Sequence, residues 1–403
     1  MLAGYAFSNL TIVNLVNFKL SYFPDDEMDV FIRSTPGISE NLLGGLSSTN
    51  IFRNIYLIEP PLIQYAHDGI FKKIMLYPLR ASKYYKRYKD IFDIKLDGLA
   101  KDNKYELYLC PYFTNDSIFY IDYFARLNQS MEVAFYDEGG SSWTFTVDEL
   151  CSVFFAARNL KEKIRRMFTV KKLYRKHRRR FNNTQYLLGG RKIVKDASAT
   201  VLLLKSVNAD PDHAIYYNSL FSFPKSTLMY YEKRQIYYFV SYPSELEPDY
   251  ESRLINNINS LCEVVSPKKS VIRLHPNNTS FKKLIAERIS EEASLVGAFI
   301  DDGILAAESV FYNVDLENKI IIEDSSTISL QPKVLFDKEA IIISVSKLGR
   351  RYYNDTEYRE LTDTYFGYLR ELYSDKTRIY QPSTVREFKK NVAEAYYRIQ
   401  IYK

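Results

Sequence analysis

Short apolar runs alternate with longer segments of helical period along most of this chain, and that rhythm constrains the fold more than any other feature. Leu2 to Phe7, Asp29 to Ile32, Ile55 to Ile58, Tyr105 to Cys110 and Glu132 to Tyr136 read as strands. So do Thr200 to Leu204, Ile236 to Ser241, Val271 to Leu274, Ile320 to Ile322 and Ala340 to Val345. Thr114 to Leu127, Asp249 to Val264, Ser280 to Glu292 and Thr356 to Leu372 carry apolar residues at helical spacing. The pattern therefore predicts an α/β protein with parallel sheets and crossover helices.

A chain of 403 residues accommodates two such units. The polar stretch 182–199, with Gly189-Gly190, predicts the division between them. The expected organisation is an N-terminal domain over 1–190, a C-terminal domain over 191–380 and a final helix over 381–403 that packs back on the N-terminal domain.

Composition narrows the class. With 46% apolar and 26% charged residues, the chain can bury enough surface to offset the entropy of ordering, which excludes disorder. Cys110, Cys151 and Cys262 are widely spaced and odd in number, the pattern of reduced thiols rather than of a disulfide scaffold. The four histidines, His67, His177, His213 and His275, form no cluster at zinc-ligand spacing, so no metal site is expected. The apolar N-terminus is broken by Ser8, Asn9, Thr11, Asn14, Asn17 and Lys19, which argues against a signal peptide or a membrane span. A cytoplasmic protein is expected.

In open parallel sheets, ligands sit beyond the carboxyl ends of the strands. Three strand ends carry chemistry suited to that place. Val133 to Tyr136 ends in Asp137-Glu138-Gly139-Gly140, where one carboxylate can face the crevice as a general base while glycine permits close backbone approach. The same residues also suit a solvated acidic turn before an N-cap at Ser141 or Ser142. Ser270 to Leu274 ends in His275-Pro276. Proline stops the strand, so the imidazole is held where it can donate to a phosphate, or it simply caps the strand. Ile320 to Ile322 gives way to Glu323-Asp324-Ser325-Ser326-Thr327, either a phosphate-binding helix start or ordinary capping by Asp324 or Ser325. A further acidic pair, Asp301-Asp302-Gly303, follows the histidine loop. It is the less suitable base because it shares a domain with His275 and Ser325, the residues suited to phosphate.

These three loops, in this order, resemble the bacterial sialyltransferases: the lipooligosaccharide and capsule enzymes of glycosyltransferase family 52 and the related polysialyltransferases. The matching segments are Asp137-Glu138-Gly139, His275-Pro276 and Ser325-Ser326-Thr327, and the resemblance spans roughly residues 130 to 337. It implies a GT-B fold, two Rossmann-like domains with parallel sheets facing a central cleft. The implied reaction is inverting and metal-independent, moving sialic acid from CMP-sialic acid to a glycan or glycolipid hydroxyl in capsule or lipooligosaccharide biosynthesis. By position Asp137 would be the base, and His275 would assist departure of the CMP phosphate. Ser325 and Ser326 would bind that phosphate, and Thr327, Pro276, Glu138 and Gly139 would join them in binding the donor; no cofactor is implied. CMP-Kdo or another CMP-nonulosonate would suit the same residues.

Arg158 to Phe181 holds twelve Lys and Arg against one Glu, so the remainder of a chain of net charge +6 is slightly acidic. Apolar residues recur there near helical spacing, predicting a basic amphipathic helix over residues 158–180. Such a helix suits an anionic membrane surface, here the inner face of the plasma membrane, or is simply a solvated surface helix; nucleic acid is the lesser alternative. It also leaves open a non-catalytic module that binds anionic polymer. Trp143, the single tryptophan, suits either the acceptor site or the core.

Overall fold

The computed structural model describes residues 1–35, 37–59, 77–111, 115–136, 173, 175–187, 200–204, 206–207, 210–241, 249–275, 287, 297–303, 305–324 and 327–401. Two compact units are present: one comprises residues 1–35 and 50–204, the other residues 36–49 and 205–403. Each is a parallel sheet with helical crossovers, the fold class that the alternating pattern predicts.

The first sheet contains β1 (Leu2–Ala6), β2 (Met28–Arg33), β3 (Asn54–Ile58), β4 (Leu107–Cys110), β5 (Glu132–Tyr136), β6 (Phe181–Leu187) and β7 (Thr200–Leu203). Their spatial order is β3-β2-β1-β4-β5-β6-β7, with every pairing parallel. The helix Asn9–Tyr22 follows β1 and is buried on all sides from Leu10 to Leu20. Ser8 starts it by accepting from the Thr11 amide. Lys19 ends it, its ammonium donating to the carbonyls of Phe23 and Pro24, each at 2.6 Å.

The second sheet contains β8 (Ile236–Phe239), β9 (Ser270–Arg273), β10 (Phe299–Asp301), β11 (Ile320–Glu323), β12 (Ile341–Ser344) and β13 (Ile379–Tyr380). Its order is β10-β9-β8-β11-β12-β13, again parallel throughout. Numbered within the unit this is 3-2-1-4-5-6, the doubly wound order of dinucleotide-binding sheets. The isoleucine triplets of β11 and β12 lie at the centre and are wholly buried, as strands covered on both faces must be.

Two boundaries differ from the expected ones. The stretch 182–199 is not simply a linker: β6 begins at Phe181 and β7 at Thr200, both pair within the first sheet, and the division falls after Leu204. A strand outside the sheet centre forms from backbone pairing without an apolar run, so composition conceals it. The final helix, Val385–Ile401, puts Phe388, Val392, Ala395 and Ile399 into the second unit's own core with Ile341 and Ile343. Its apolar stripe is therefore used there rather than on the N-terminal domain. Burying Phe388, Val392 and Ile399 contributes about 1.5–3 kcal/mol each.

The crossover between β2 and β3 supplies the helix Glu40–Thr49 to the second unit, where it packs on the helix Ala214–Leu220. Among the described residues no helix is long and apolar enough to cross a membrane.

Candidate functional site

A doubly wound sheet opens a crevice where the crossovers diverge to opposite faces. In the second unit that point lies between β8 and β11. The ladders on either side of that point continue past the strand ends: Val240 N–H donates to the Arg273 carbonyl, Leu274 to Asp301 and Val345 to Glu323, at 2.8–2.9 Å. The loops therefore spring from a rigid edge.

His275 is the second residue beyond β9 and is half-buried. The Leu274 amide still belongs to the ladder, so the imidazole backbone is anchored one residue away. Asp324 is the first residue beyond β11, and Thr327 opens a single 3-10 turn, Thr327–Ser329. Neighbouring strands stand about 4.8 Å apart, so β9 and β11, with β8 between them, are about 10 Å apart. Side chains reaching from both could meet on one phosphate. The turn leads into the six-residue helix Gln331–Phe336. The dipole contribution of so short a helix is small.

Three residues at this edge were not singled out as functional by sequence. The Ser241 hydroxyl, just past β8, donates to the Asp324 carbonyl at 2.6 Å. The Arg253 guanidinium, on the helix Tyr250–Cys262, donates to the Asp324 carboxylate at 2.6 Å. The Tyr250 hydroxyl donates to the Ser241 carbonyl at 2.9 Å. Burial raises the Asp324 carboxyl above its ordinary range, opposed by the charge and hydrogen bond of Arg253. Asp324 is thus the ion-pair partner of Arg253 just beyond a strand. Ser241 was accessible to the strand-end rule. Arg253 was not, since nothing local announces a partner 71 residues away.

The other acidic pair is explained structurally. One Asp301 oxygen accepts from Arg273 at 2.5 Å and from Tyr231, and the other accepts the Gly303 amide at 3.0 Å. Gly303 turns there with φ of 74°, which favours glycine. Arg273 also reaches the Leu305 carbonyl. Asp301 accordingly fastens β9 and β10, while Asp302 is exposed.

Asp137, Glu138, Gly139, Trp143, Pro276, Ser325 and Ser326 lie outside the described residues. In the chain Asp137 follows Tyr136, whose hydroxyl donates to the Tyr5 carbonyl at 2.6 Å and so ties β5 to the β1 end of the first sheet. Most of the basic segment is also outside them. Its last turn is structural in part: Lys176 and buried His177 each bond Asp122 at 2.8 Å, and Arg180 reaches the Met131 carbonyl at 3.2 Å. Burial opposes the charged Asp122, but these bonds and one from Lys89 outweigh it and hold the carboxyl well below the usual range. Arg175, Arg178 and Arg179 remain exposed. Among the described residues no three His, Cys, Asp or Glu are grouped to hold a metal.

No protein-family model matches the chain, and no curated protein matches its sequence. Solved structures do resemble it. A Listeria monocytogenes protein assigned as a UDP-N-acetylglucosamine 2-epimerase superposes with a TM-score of 0.50 at 10% identity, over 99% of this chain and 88% of its own. The UDP-GlcNAc 2-epimerase of Neisseria meningitidis, bound to UDP-GlcNAc, gives 0.49 at 13% identity, over 100% and 92%. The UDP complex of S. aureus MnaA gives 0.49 at 11% identity, over 99% and 87%. Together with the two strand orders, the Listeria likeness shows the fold: two Rossmann-like α/β units of the GT-B kind.

Proposed function

We propose that this chain is a glycosyltransferase using a nucleotide-activated sugar and, more finely, that it moves sialic acid from CMP-sialic acid to a glycan hydroxyl. One observation carries the reading: the second sheet has the dinucleotide-binding strand order, and its switch point is flanked by His275, beyond β9, and Asp324, beyond β11. Fold alone does not assign chemistry, so the reading rests on these loops together with the Asp-Glu-Gly loop after β5.

In this mechanism Asp137 takes the proton of the acceptor hydroxyl as its oxygen attacks the anomeric carbon of the donor. The bond from that carbon to the phosphate oxygen breaks, and its electrons leave with CMP. His275 donates to the departing phosphate, and Ser325 and Ser326 offer further hydrogen bonds to the same charge. Pro276 and Thr327 are the neighbouring donor-binding residues in this reading. Neutral donors and one imidazole suffice for a leaving monophosphate, so the reaction proceeds without a metal.

The acceptor in this reading is a capsule or lipooligosaccharide glycan at the inner face of the plasma membrane. In this reading the basic segment 158–180, of which Arg178 and Arg179 are exposed, binds anionic headgroups.

Release of CMP from CMP-sialic acid, with a galactoside acceptor and EDTA present, tests the proposal. His275→Ala and Asp137→Ala should each lower turnover by about 10² to 10⁴-fold. Unchanged turnover in both variants defeats the residue assignment, and loss of activity in EDTA defeats the metal-free mechanism. Thermal stabilisation by UDP in place of CMP would move the donor to a UDP-sugar, the substrate class in the Listeria protein's assigned activity. CMP-Kdo is a parallel arm of the same assay. Stabilisation by polyphosphate alone would favour a binding module.

A further inference from the structure

Three chain segments leave the second sheet around one guanidinium. Arg253 is 9% exposed and its partner Asp324 11%, so the pair is largely withdrawn from water. The Tyr250 ring lies against the Arg253 guanidinium, 5.3 Å from its centre, while the Tyr250 hydroxyl holds the Ser241 carbonyl. Ser241 in turn holds the Asp324 carbonyl. From the third side comes Gly349, beyond β12, at an ordinary φ of −82°. A β-carbon there would lie 3.1 Å from the Arg253 Cζ and 3.3 Å from both terminal nitrogens. The glycine is needed for space, not for its backbone conformation.

Desolvating two charges costs several kcal/mol per ion, and apolar residues of similar volume would hold the fold as well or better. An ion pair supplies direction, which apolar packing does not. Only Ser325 and Ser326 separate the clamped Asp324 from the turn that Thr327 opens. The clamp therefore holds the carboxyl end of β11 against the end of β8.

We infer that Arg253 is a positioning residue of the nucleotide site: it clamps Asp324, holds the carboxyl end of β11 in place, and requires Gly349 to carry no side chain. The inference rests on the nucleotide reading above. It adds a residue that touches no ligand and acts through Asp324.

The test uses the full chain, with CMP and UDP as calorimetric probes beside thermal unfolding. Arg253→Met leaves a buried carboxylate unpaired and should lower both stability and affinity. Arg253→Met with Asp324→Leu removes both charges, so the unfolding temperature should recover while nucleotide affinity stays at least about tenfold weaker, a difference of 1.4 kcal/mol. Recovery of affinity together with stability would show the pair to be merely structural and overturn the inference. Gly349→Ala keeps every charge and displaces the guanidinium by tenths of an ångström, and it should weaken binding several-fold in a stably folded protein. If Gly349→Ala and Arg253→Lys both bind as the unaltered chain does, the inference is overturned even where the double variant fails to fold. Failure of the unaltered chain to bind either nucleotide overturns the nucleotide reading itself and removes this inference with it.

Discussion

The Ser241 hydroxyl donates to the main-chain carbonyl of Asp324 across 2.6 Å, joining the end of β8 to the end of β11 where the sheet changes direction. One side-chain hydrogen bond of this kind is worth about 1 kcal/mol. Ser241→Ala should cost that amount in urea denaturation. Ser252→Ala, which removes an exposed bond to the Asp249 carbonyl, should cost clearly less. Equal losses would show that the Ser241 bond has no special standing.

Asp29 stands at the opposite, amino-terminal edge of the first sheet and is fully buried. It accepts from Arg53 at 2.8 Å, Asn54 at 3.0 Å, Asn103 at 3.3 Å and Tyr105 at 2.6 Å. Arg53→Ala strands a buried charge and should lower stability by about 3–5 kcal/mol. Tyr105→Phe should cost about 1–3 kcal/mol. A shift in the denaturation midpoint measures both. Near-neutral values would mean that the remaining donors satisfy the carboxylate unaided.

Adjacent glycines in the helix Glu40–Thr49 should respond in opposite directions. A β-carbon at Gly45 would lie 2.5 Å from the carbonyl oxygens of both Ser219 and Leu220, whereas at Gly44 nothing lies within 4 Å. Gly44→Ala should raise stability by up to about 1 kcal/mol through helix propensity. Gly45→Ala should lower it by about 1–3 kcal/mol, because two backbones must separate. Matching effects, read by thermal unfolding, would contradict the packing described.

Glu339 anchors the start of β12. Burial resists its ionisation, but hydrogen bonds from Lys333 and Ser374 prevail and bring the carboxyl down to about 2 from its ordinary 4.5. A depressed carboxyl stabilises the fold above the unfolded value and loses that contribution as the pH falls through the folded one. Stability should therefore decline from pH 4.5 toward about 2. Glu339→Gln should shrink that decline and leave a protein less stable at neutral pH. An acid profile identical to that of the unaltered chain would dismiss Glu339 as a contributor.

The strands read best in the sequence were those buried on both faces. Glu132–Tyr136 begins and ends where its apolar run does, and the isoleucine triplets of β11 and β12 lie within the segments expected. The helix Thr356–Leu372 has the expected limits, with Asp355 capping it through the Tyr358 amide. β6 escaped notice because its sequence, FNNTQYL, is polar and its position comes from pairing with β5 and β7. The destination of the last helix escaped for another reason: an apolar stripe specifies that something must cover it, not which unit does.

His275 was legible because a strand, an imidazole and a proline stand together in the sequence. Arg253 and Gly349 were not. Their significance arises only when residues separated by about seventy and a hundred positions are brought to one place. The sequence alone determined the layered α/β class and the placing of His275 just beyond a strand, because periodicity and turn residues act over a few neighbours. The tertiary structure alone decided the strand order, the limits of the two units and the clamp on Asp324. Those depend on which distant backbones share hydrogen bonds and which buried charges must find partners.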